Sequence, residues 1–287
     1  MHLRRSLMGE NGANVSATPK KKFTVPMLSE RMSSGIAMSM VTAYDSTFAS
    51  IVDEAGVDMI LVGDSVATVM QGQKTTLGVS MEHMEYHVQM VASVKPNALI
   101  VGDMPFGSYQ GSVEDAVRNA IRLIKAGAEI VKLEGGIHAA DRIAAIVNAD
   151  IPVMGHIGLT PQSYHRMGGN KVQGRQSGDS AGNRERLLED AHAVDSAGAS
   201  AMVIEGVPSD LATEITQKVS CPTIGIGAGV GCSGQVLVMH DLLGLSSRSF
   251  TFTKAYTNLR AAALSAVAEY VEEVRNKTWP DADHSFD

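Results

Sequence analysis

The chain has 287 residues, 44% of them hydrophobic, with 24 Lys and Arg against 31 Asp and Glu for a net charge of -7. That length suits one large core rather than several small ones, and the negative balance, with no long basic stretch past Lys22, argues against nucleic acid as the main partner. No apolar run approaches the roughly 18 residues that span a bilayer, and two cysteines without zinc-ligand spacing, Cys221 and Cys232, suit a reducing cytoplasm better than a disulfide framework.

Residues 1–22 carry Arg4 and Arg5 but no apolar h-region, and Glu10 spoils a basic transit peptide, so this stretch reads as a disordered extension. The domain then runs from 23 to 287 as a single unit. Ser39-Met40-Val41-Thr42-Ala43-Tyr44-Asp45 is the first strand-like run, and a short helix over 48–55 stops at Gly56. Asp58-Met59-Ile60-Leu61-Val62-Gly63-Asp64-Ser65 follows, apolar and ending in an acid. After a helix near 81–94, Ala98-Leu99-Ile100-Val101-Gly102-Asp103 repeats the Val-Gly-Asp ending. Ser112 with Asp115 predicts a capping box, and Val113, Val117, Ile121 and Ile124 mark one face of the helix that ends at Gly127.

The next run, Glu129-Ile130-Val131-Lys132-Leu133-Glu134-Gly135-Gly136, is the one around which the chain is arranged. Side chains two apart on a strand share a face, so Lys132 and Glu134 point the same way from a buried strand. A helix over 139–147 leads to Ile151-Pro152-Val153-Met154-Gly155-His156-Ile157-Gly158, a strand opened by proline, and then to a polar, glycine-rich loop over 160–178. A helix over 184–197 precedes Ser200-Ala201-Met202-Val203-Ile204-Glu205. Two short runs over 221–229 and 235–239 and a long amphipathic helix over 254–275 complete the chain.

That makes eight strand candidates separated mostly by helices. The helix-stop pairs Ala55-Gly56, Ala126-Gly127 and Ala197-Gly198 lie 71 residues apart, each followed seven or eight residues later by an acid, Asp64, Glu134 or Glu205. Two βα units of about 35 residues fit that period, so a (βα)8 TIM barrel is expected, with a doubly wound open sheet as the alternative. In a barrel the C-terminal strand ends build the site, and Asp64, Asp103, Lys132, Glu134, His156 and Glu205 all fall there. Several carboxylates with few soft ligands suit a hard cation such as Mg2+, with Lys132 balancing an anionic ligand.

Duller readings stand beside these. Either Val-Gly-Asp acid can sit at a helix N-terminus, Lys132 and Glu134 can form a structural ion pair, and His156 can be a core histidine. Gly229, Gly231 and Gly234 match Gly-x-Gly-x-x-Gly, but a short apolar run rather than a phosphate-binding helix follows.

The chain resembles the ketopantoate hydroxymethyltransferase family from about Val41 to Phe286. The segments that carry the resemblance include Thr42-Ala43-Tyr44-Asp45, Leu61-Val62-Gly63-Asp64-Ser65, Asp103-Met104-Pro105-Phe106, Val131-Lys132-Leu133-Glu134-Gly135-Gly136, Gly155-His156-Ile157-Gly158-Leu159-Thr160-Pro161-Gln162-Ser163 and Gly225-Ile226-Gly227-Ala228-Gly229. It departs from the family's pattern at Gly206 and between Gln176 and Arg184. The resemblance implies a barrel of the phosphoenolpyruvate/pyruvate type that transfers a hydroxymethyl group from 5,10-methylenetetrahydrofolate to 3-methyl-2-oxobutanoate, giving 2-dehydropantoate for coenzyme A synthesis. It further implies Mg2+ on Asp64, Asp103 and Glu134, and oxo-acid binding by Asp64, Ser65, Asp103, Lys132 and His156. Glu205 is implied as the base, and the assembly as a cytoplasmic homo-oligomer, a decamer. Two rivals are another Mg2+-dependent 2-oxo-acid lyase or mutase on the same barrel, and a nucleotide-binding regulatory module using the 229–234 glycines.

Overall fold

A computed structural model describes residues 21–178, 182–246 and 250–286. Residues 1–20, most of the stretch read as an extension, lie outside the described residues. Lys22, read as part of that stretch, is docked on the domain: its Nζ lies 2.6 Å from Glu129 Oε2 and donates to the carbonyls of Pro96 and Ala98 at 3.1 and 2.8 Å.

Eight parallel strands close into one barrel in sequence order, so the (βα)8 expectation holds and the open sheet is excluded. They are β1 (Met38–Thr42), β2 (Met59–Val62), β3 (Leu99–Asp103), β4 (Ile130–Lys132), β5 (Val153–Gly158), β6 (Ala201–Glu205), β7 (Thr223–Ile226) and β8 (Gly234–Leu237). The helices are α1 (Val25–Ser33), α2 (Ser46–Ala55), α3 (Met81–Ser93), α4 (Val113–Ala126), α5 (Ala140–Val147), α6 (Arg184–Ser196), α7 (Ser209–Lys218) and α8 (Leu259–Asn276), with shorter helical turns between them. Strands buried on both faces need apolar side chains at nearly every position, and that continuous pattern makes them visible in the sequence.

Alternation divides the core into two layers. Met38 and Met40, Met59 and Leu61, Leu99 and Val101, Ile130, Met154, Ala201 and Val203, Ile224 and Val236 fill the barrel interior, and Phe23 and Leu28 from α1 and its approach join them. The intervening residues, such as Ile60, Ile100, Val131, Val153 and Ile204, pack outward against the helices. Continuing the inward parity upward from Val101, Ile130, Met154 and Val203 brings in Asp103, Lys132 then Glu134, His156 and Glu205. The polar crown is therefore the top layer of the same inward-facing rows.

The repeated helix stops share one device. Gly56, Gly127 and Gly198 follow their helices with φ of 95°, 116° and 90°, a left-handed conformation that glycine adopts without a Cβ penalty. Two local expectations need correction. On α4 the buried stripe is Ala116, Ala120 and Leu123, while Ile121 is 39% exposed and Val113, Val117 and Ile124 flank the contact. Small residues let this helix lie close to its neighbours, so side-chain size rather than hydrophobicity selects the face. The capping box at Ser112 is only half formed: its hydroxyl accepts from the Asp115 N–H at 3.0 Å and lies 2.9 Å from the Asp115 carboxylate. The reciprocal box occurs at Ser80 and His83, at the start of α3.

Candidate active site

β3 and β4 are in register so that Asp103 sits beside Lys132, and the Lys132 ammonium donates to both Asp103 oxygens at 2.7 and 2.8 Å. Asp103 Oδ2 also accepts from the Asp64 backbone N–H at 3.1 Å, which ties the loop leaving β2 to the end of β3. The Lys132 and Glu134 side chains do share a face, but Lys132 pairs with Asp103 and not with Glu134. Lys132 is held protonated: burial opposes its charge, and Asp103, Glu134 and Asp64 outweigh that.

Burial pushes the Asp64 carboxyl well above the usual carboxylate range, and the charges of Asp103 and Glu134 add to the push. Asp103 is pushed up by burial too, against the pull of Lys132. For Glu134 burial also acts upward, but His156 and Lys132 prevail and its carboxyl is lowered. His156 stands between two acids, Nδ1 3.5 Å from Glu134 Oε1 and Nε2 3.3 Å from Glu205 Oε2. These contacts are ionic rather than aligned hydrogen bonds, and Glu134 Oε1 and both ring nitrogens have no hydrogen-bond partner. Burial and the Lys132 charge push His156 down, yet the flanking acids raise it to about 9. Glu205 is more open than its neighbours, with 18% of its side chain exposed.

Gln162 joins these groups although its residue type carries no charge to advertise it. Its Nε2 donates to Asp64 Oδ2 at 3.0 Å and to the Met104 carbonyl at 2.9 Å, and its backbone N–H donates to Glu134 Oε2 at 2.9 Å. Its Oε1 accepts from the Tyr109 hydroxyl at 2.7 Å and from Gln110 Nε2 at 3.1 Å. Tyr109 in turn accepts from the Glu134 N–H at 3.1 Å and is kept protonated by burial and by Glu134. At the other side of the crown, Tyr44 and Ser65 share a hydroxyl contact of 2.8 Å. Charge patterning singles out the ionisable members of this network and passes over Gln162, Tyr109 and Tyr44. The signal available for Gln162 is positional: Thr160-Pro161-Gln162 begins two residues past Gly158, the C-terminal end of β5.

Six charged predicted residues thus meet at one barrel mouth, and Ser65 lies on the same mouth. Among the described residues no three His, Cys, Asp or Glu side chains already enclose a metal ion by themselves. The donor set still fits a hard divalent cation. Four carboxylates face two cations, Glu134 Oε1 is buried without a partner, and Asp64 is destabilised as an anion by burial and by the charges of Asp103 and Glu134. Mg2+ commonly binds through one or two carboxylates and completes its shell with water and substrate oxygens.

The glycines at 229–234 do not form a nucleotide loop. They connect β7 directly to β8 without a helix, and Gly234 is the first residue of β8, where a Cβ would stand 2.5 Å from the Met38 carbonyl. At Gly229 and Gly231 a Cβ would meet Ser209 and Thr213 of α7 at 2.4 and 2.0 Å, so close packing accounts for all three. Gly206, a departure from the family pattern, has φ 56° beside Leu159.

Comparison with known proteins agrees with this geometry. A family model described as ketopantoate hydroxymethyltransferase matches residues 22–282. Among curated relatives, the 3-methyl-2-oxobutanoate hydroxymethyltransferase of Geobacter metallireducens is 52% identical over 268 residues, covering 93% of this chain and 99% of the relative. The protein of the same name from Ignicoccus hospitalis is 51% identical, covering 91% and 97%. Among solved structures, a phosphoenolpyruvate phosphomutase from Streptomyces platensis subsp. rosaceus aligns with a TM-score of 0.61 at 15% identity, covering 92% of each chain. A 2,3-dimethylmalate lyase of the PEP mutase/isocitrate lyase superfamily gives 0.57 at 16%, covering 91% of each. At such identities these structures speak to the fold alone.

Proposed function

The chain belongs to the ketopantoate hydroxymethyltransferase family, and from that premise we propose that it transfers a hydroxymethyl group from 5,10-methylenetetrahydrofolate to 3-methyl-2-oxobutanoate, forming 2-dehydropantoate. The observation that carries the reading is the buried pairing of Lys132 with Asp103 beside Asp64 and Glu134, one ammonium set among carboxylates that would take up a divalent ion.

Asp64, Asp103 and Glu134 are the residues that would hold Mg2+. When bound, the ion supplies Lewis-acid withdrawal of charge from the oxygens of the oxo acid. Lys132 adds a fixed positive charge for the substrate carboxylate, and Asp103 aims it through two hydrogen bonds. Ser65, fixed by Tyr44, offers a hydroxyl to the same ligand. Glu205 takes the C3 proton of the oxo acid. It is the most accessible acid of the crown, and His156 restrains its carboxylate at 3.3 Å. Gln162 and Tyr109 fix the metal-side carboxylates so that little reorganisation is needed as negative charge develops on the keto oxygen.

A cytoplasmic location accords with two unpaired buried cysteines, and no helix among the described residues is long and apolar enough to cross a membrane. We further propose a homo-oligomer, a decamer as in the family, in which α8 meets neighbouring copies. The direct test is incubation with 3-methyl-2-oxobutanoate, methylenetetrahydrofolate and Mg2+, followed by detection of 2-dehydropantoate. Absence of product across a range of pH and divalent metals would overturn the assignment.

A further inference from the structure

Glu205 is the last residue of β6, and the end of β5 grips it twice. His156 Nε2 stands 3.3 Å from the Glu205 carboxylate, and the Leu159 N–H donates to the Glu205 carbonyl at 2.8 Å. Between them lies Gly158, paired with Glu205 in the β5–β6 ladder. Its φ is 91°, a left-handed conformation that residues with a side chain rarely adopt. A Cβ at this position would stand 2.3 Å from the Glu205 carbonyl oxygen and 2.7 Å from Val207 Cγ2. The nearer of those atoms is backbone, so a side chain at 158 would have to move the Glu205 peptide or swing β5 away from it.

The backbone at Glu205 is held on its other sides as well. The Gly206 N–H donates to the Ile226 carbonyl at the end of β7, and the Gly206 carbonyl accepts from the Gln173 N–H, both at 2.9 Å. Past Leu159, the β5 segment reaches the opposite side of the crown by Gln162: its N–H donates to Glu134 Oε2 at 2.9 Å and its side chain to Asp64 Oδ2 at 3.0 Å. The stretch 158–162 therefore runs from the backbone of Glu205 to the carboxylates of Glu134 and Asp64, and it sets the separation between them. Extended backbone at 158 would accept any residue; the left-handed turn and the carbonyl filling the Cβ position restrict it to glycine.

We infer that Gly158 is a positioning residue for proton abstraction: its missing side chain lets β5 close on the Glu205 peptide and so fixes the base at its working distance from the metal-side carboxylates. The inference rests on the role proposed above for Glu205. Gly158 touches no reacting atom and acts through Glu205, whose carboxylate must meet the C3 hydrogen of an oxo acid held chiefly by Lys132 and the metal-side carboxylates. Displacing a reacting group by about 1 Å can lower a rate about 10²-fold. An added methyl at 158 is therefore felt in the chemistry more than in binding.

The test follows C3 hydrogen exchange of 3-methyl-2-oxobutanoate in D2O without folate, alongside calorimetric titration with the same acid in the presence of Mg2+. It compares the parent, Gly158→Ala, Glu205→Gln and the double variant. Gly158→Ala should exchange about 10- to 100-fold more slowly than the parent while oxo-acid affinity stays within about threefold. In the Glu205→Gln background the same alanine should slow exchange less than about twofold, because the group it displaces no longer takes the proton. Equal fractional losses in both backgrounds would report general damage to the site and overturn the inference, as would undiminished exchange in Gly158→Ala or a parallel collapse of affinity. If the alanine variant does not fold, Leu159 is replaced by leucic acid, whose ester oxygen removes the N–H donated to Glu205 and adds no bulk. Exchange should then fall about three- to tenfold with Glu205 present and hold steady in the Glu205→Gln background; equal losses there overturn the inference too. If Glu205→Gln exchanges as fast as the parent, the base assignment fails and this inference with it. If Glu205→Gln is slow while Gly158→Ala matches the parent, this inference alone fails.

Discussion

Gln162 uses both amide hydrogens and both carbonyl lone pairs in the crown, and its backbone N–H holds a fifth group, the Glu134 carboxylate. Gln162→Leu preserves bulk but leaves Asp64 Oδ2, Tyr109 and Gln110 without that partner. Removing such a supporting residue typically lowers metal affinity or activity by about 10- to 100-fold, and a Mg2+ titration should show the loss without gross unfolding. Glu205→Gln keeps shape and removes basicity. Exchange of the C3 hydrogen of 3-methyl-2-oxobutanoate in D2O, measured without folate, should fall about 10²- to 10⁴-fold; a variant that exchanges as fast as the parent would move the base elsewhere, with His156 next. His156 gives a pH signature. It is raised to about 9 in the folded protein, so the stability it contributes is complete below its unfolded value of about 6.5 and is lost as pH rises through about 9. In metal-free protein the denaturation midpoint should fall across that window, and His156→Asn should flatten the fall.

At the level of elements, the strands are legible because a barrel buries both of their faces, and the helix stops because each needs glycine at positive φ. The stripe on α4 is not, because Ala116 and Ala120 carry little hydrophobic signal beside Val117 and Ile121, although closeness of approach selects them. The helix α7 is hidden for a related reason: its sequence, Ser-Asp-Leu-Ala-Thr-Glu-Ile-Thr-Gln-Lys, mixes β-branched residues with polar ones. In the site, charge marks Asp64, Asp103, Lys132, Glu134, His156 and Glu205, while the neutral Gln162 and Tyr109 emerge only when the loops after β3 and β5 meet. The turn at Gly127 offers a quantitative check. Its φ is 116°, and a Cβ there would stand 2.4 Å from Ala92 Cβ on α3. Gly127→Ala should therefore cost about 1–3 kcal/mol, read as a lower urea midpoint with unchanged slope. A variant as stable as the parent would show that α3 and α4 can part there freely.

For the molecule as a whole, the barrel accounts for its own core but not for α8. This helix buries none of its residues, and Leu264, Val267, Tyr270 and Val274 are 70%, 61%, 54% and 44% exposed. With the half-buried Val271 they recur at spacings of three and four, which aligns them along one side of the helix. Fully burying one such side chain is worth about 1.5–3 kcal/mol, so covering several at once would offset the entropy of association that one contact could not. A closed homo-oligomer repeats the gain in every copy, which is the basis for expecting assembly through this stripe. Light scattering at micromolar concentration should report a species several times the 30.3 kDa chain mass. Leu264→Glu combined with Val271→Glu places charges in the stripe and should shift the distribution toward smaller species, with the barrel's own unfolding nearly unchanged because neither residue belongs to its core. A parent that is monomeric and fully active at that concentration would contradict the expectation, and a double variant that assembles like the parent would move the contact away from α8.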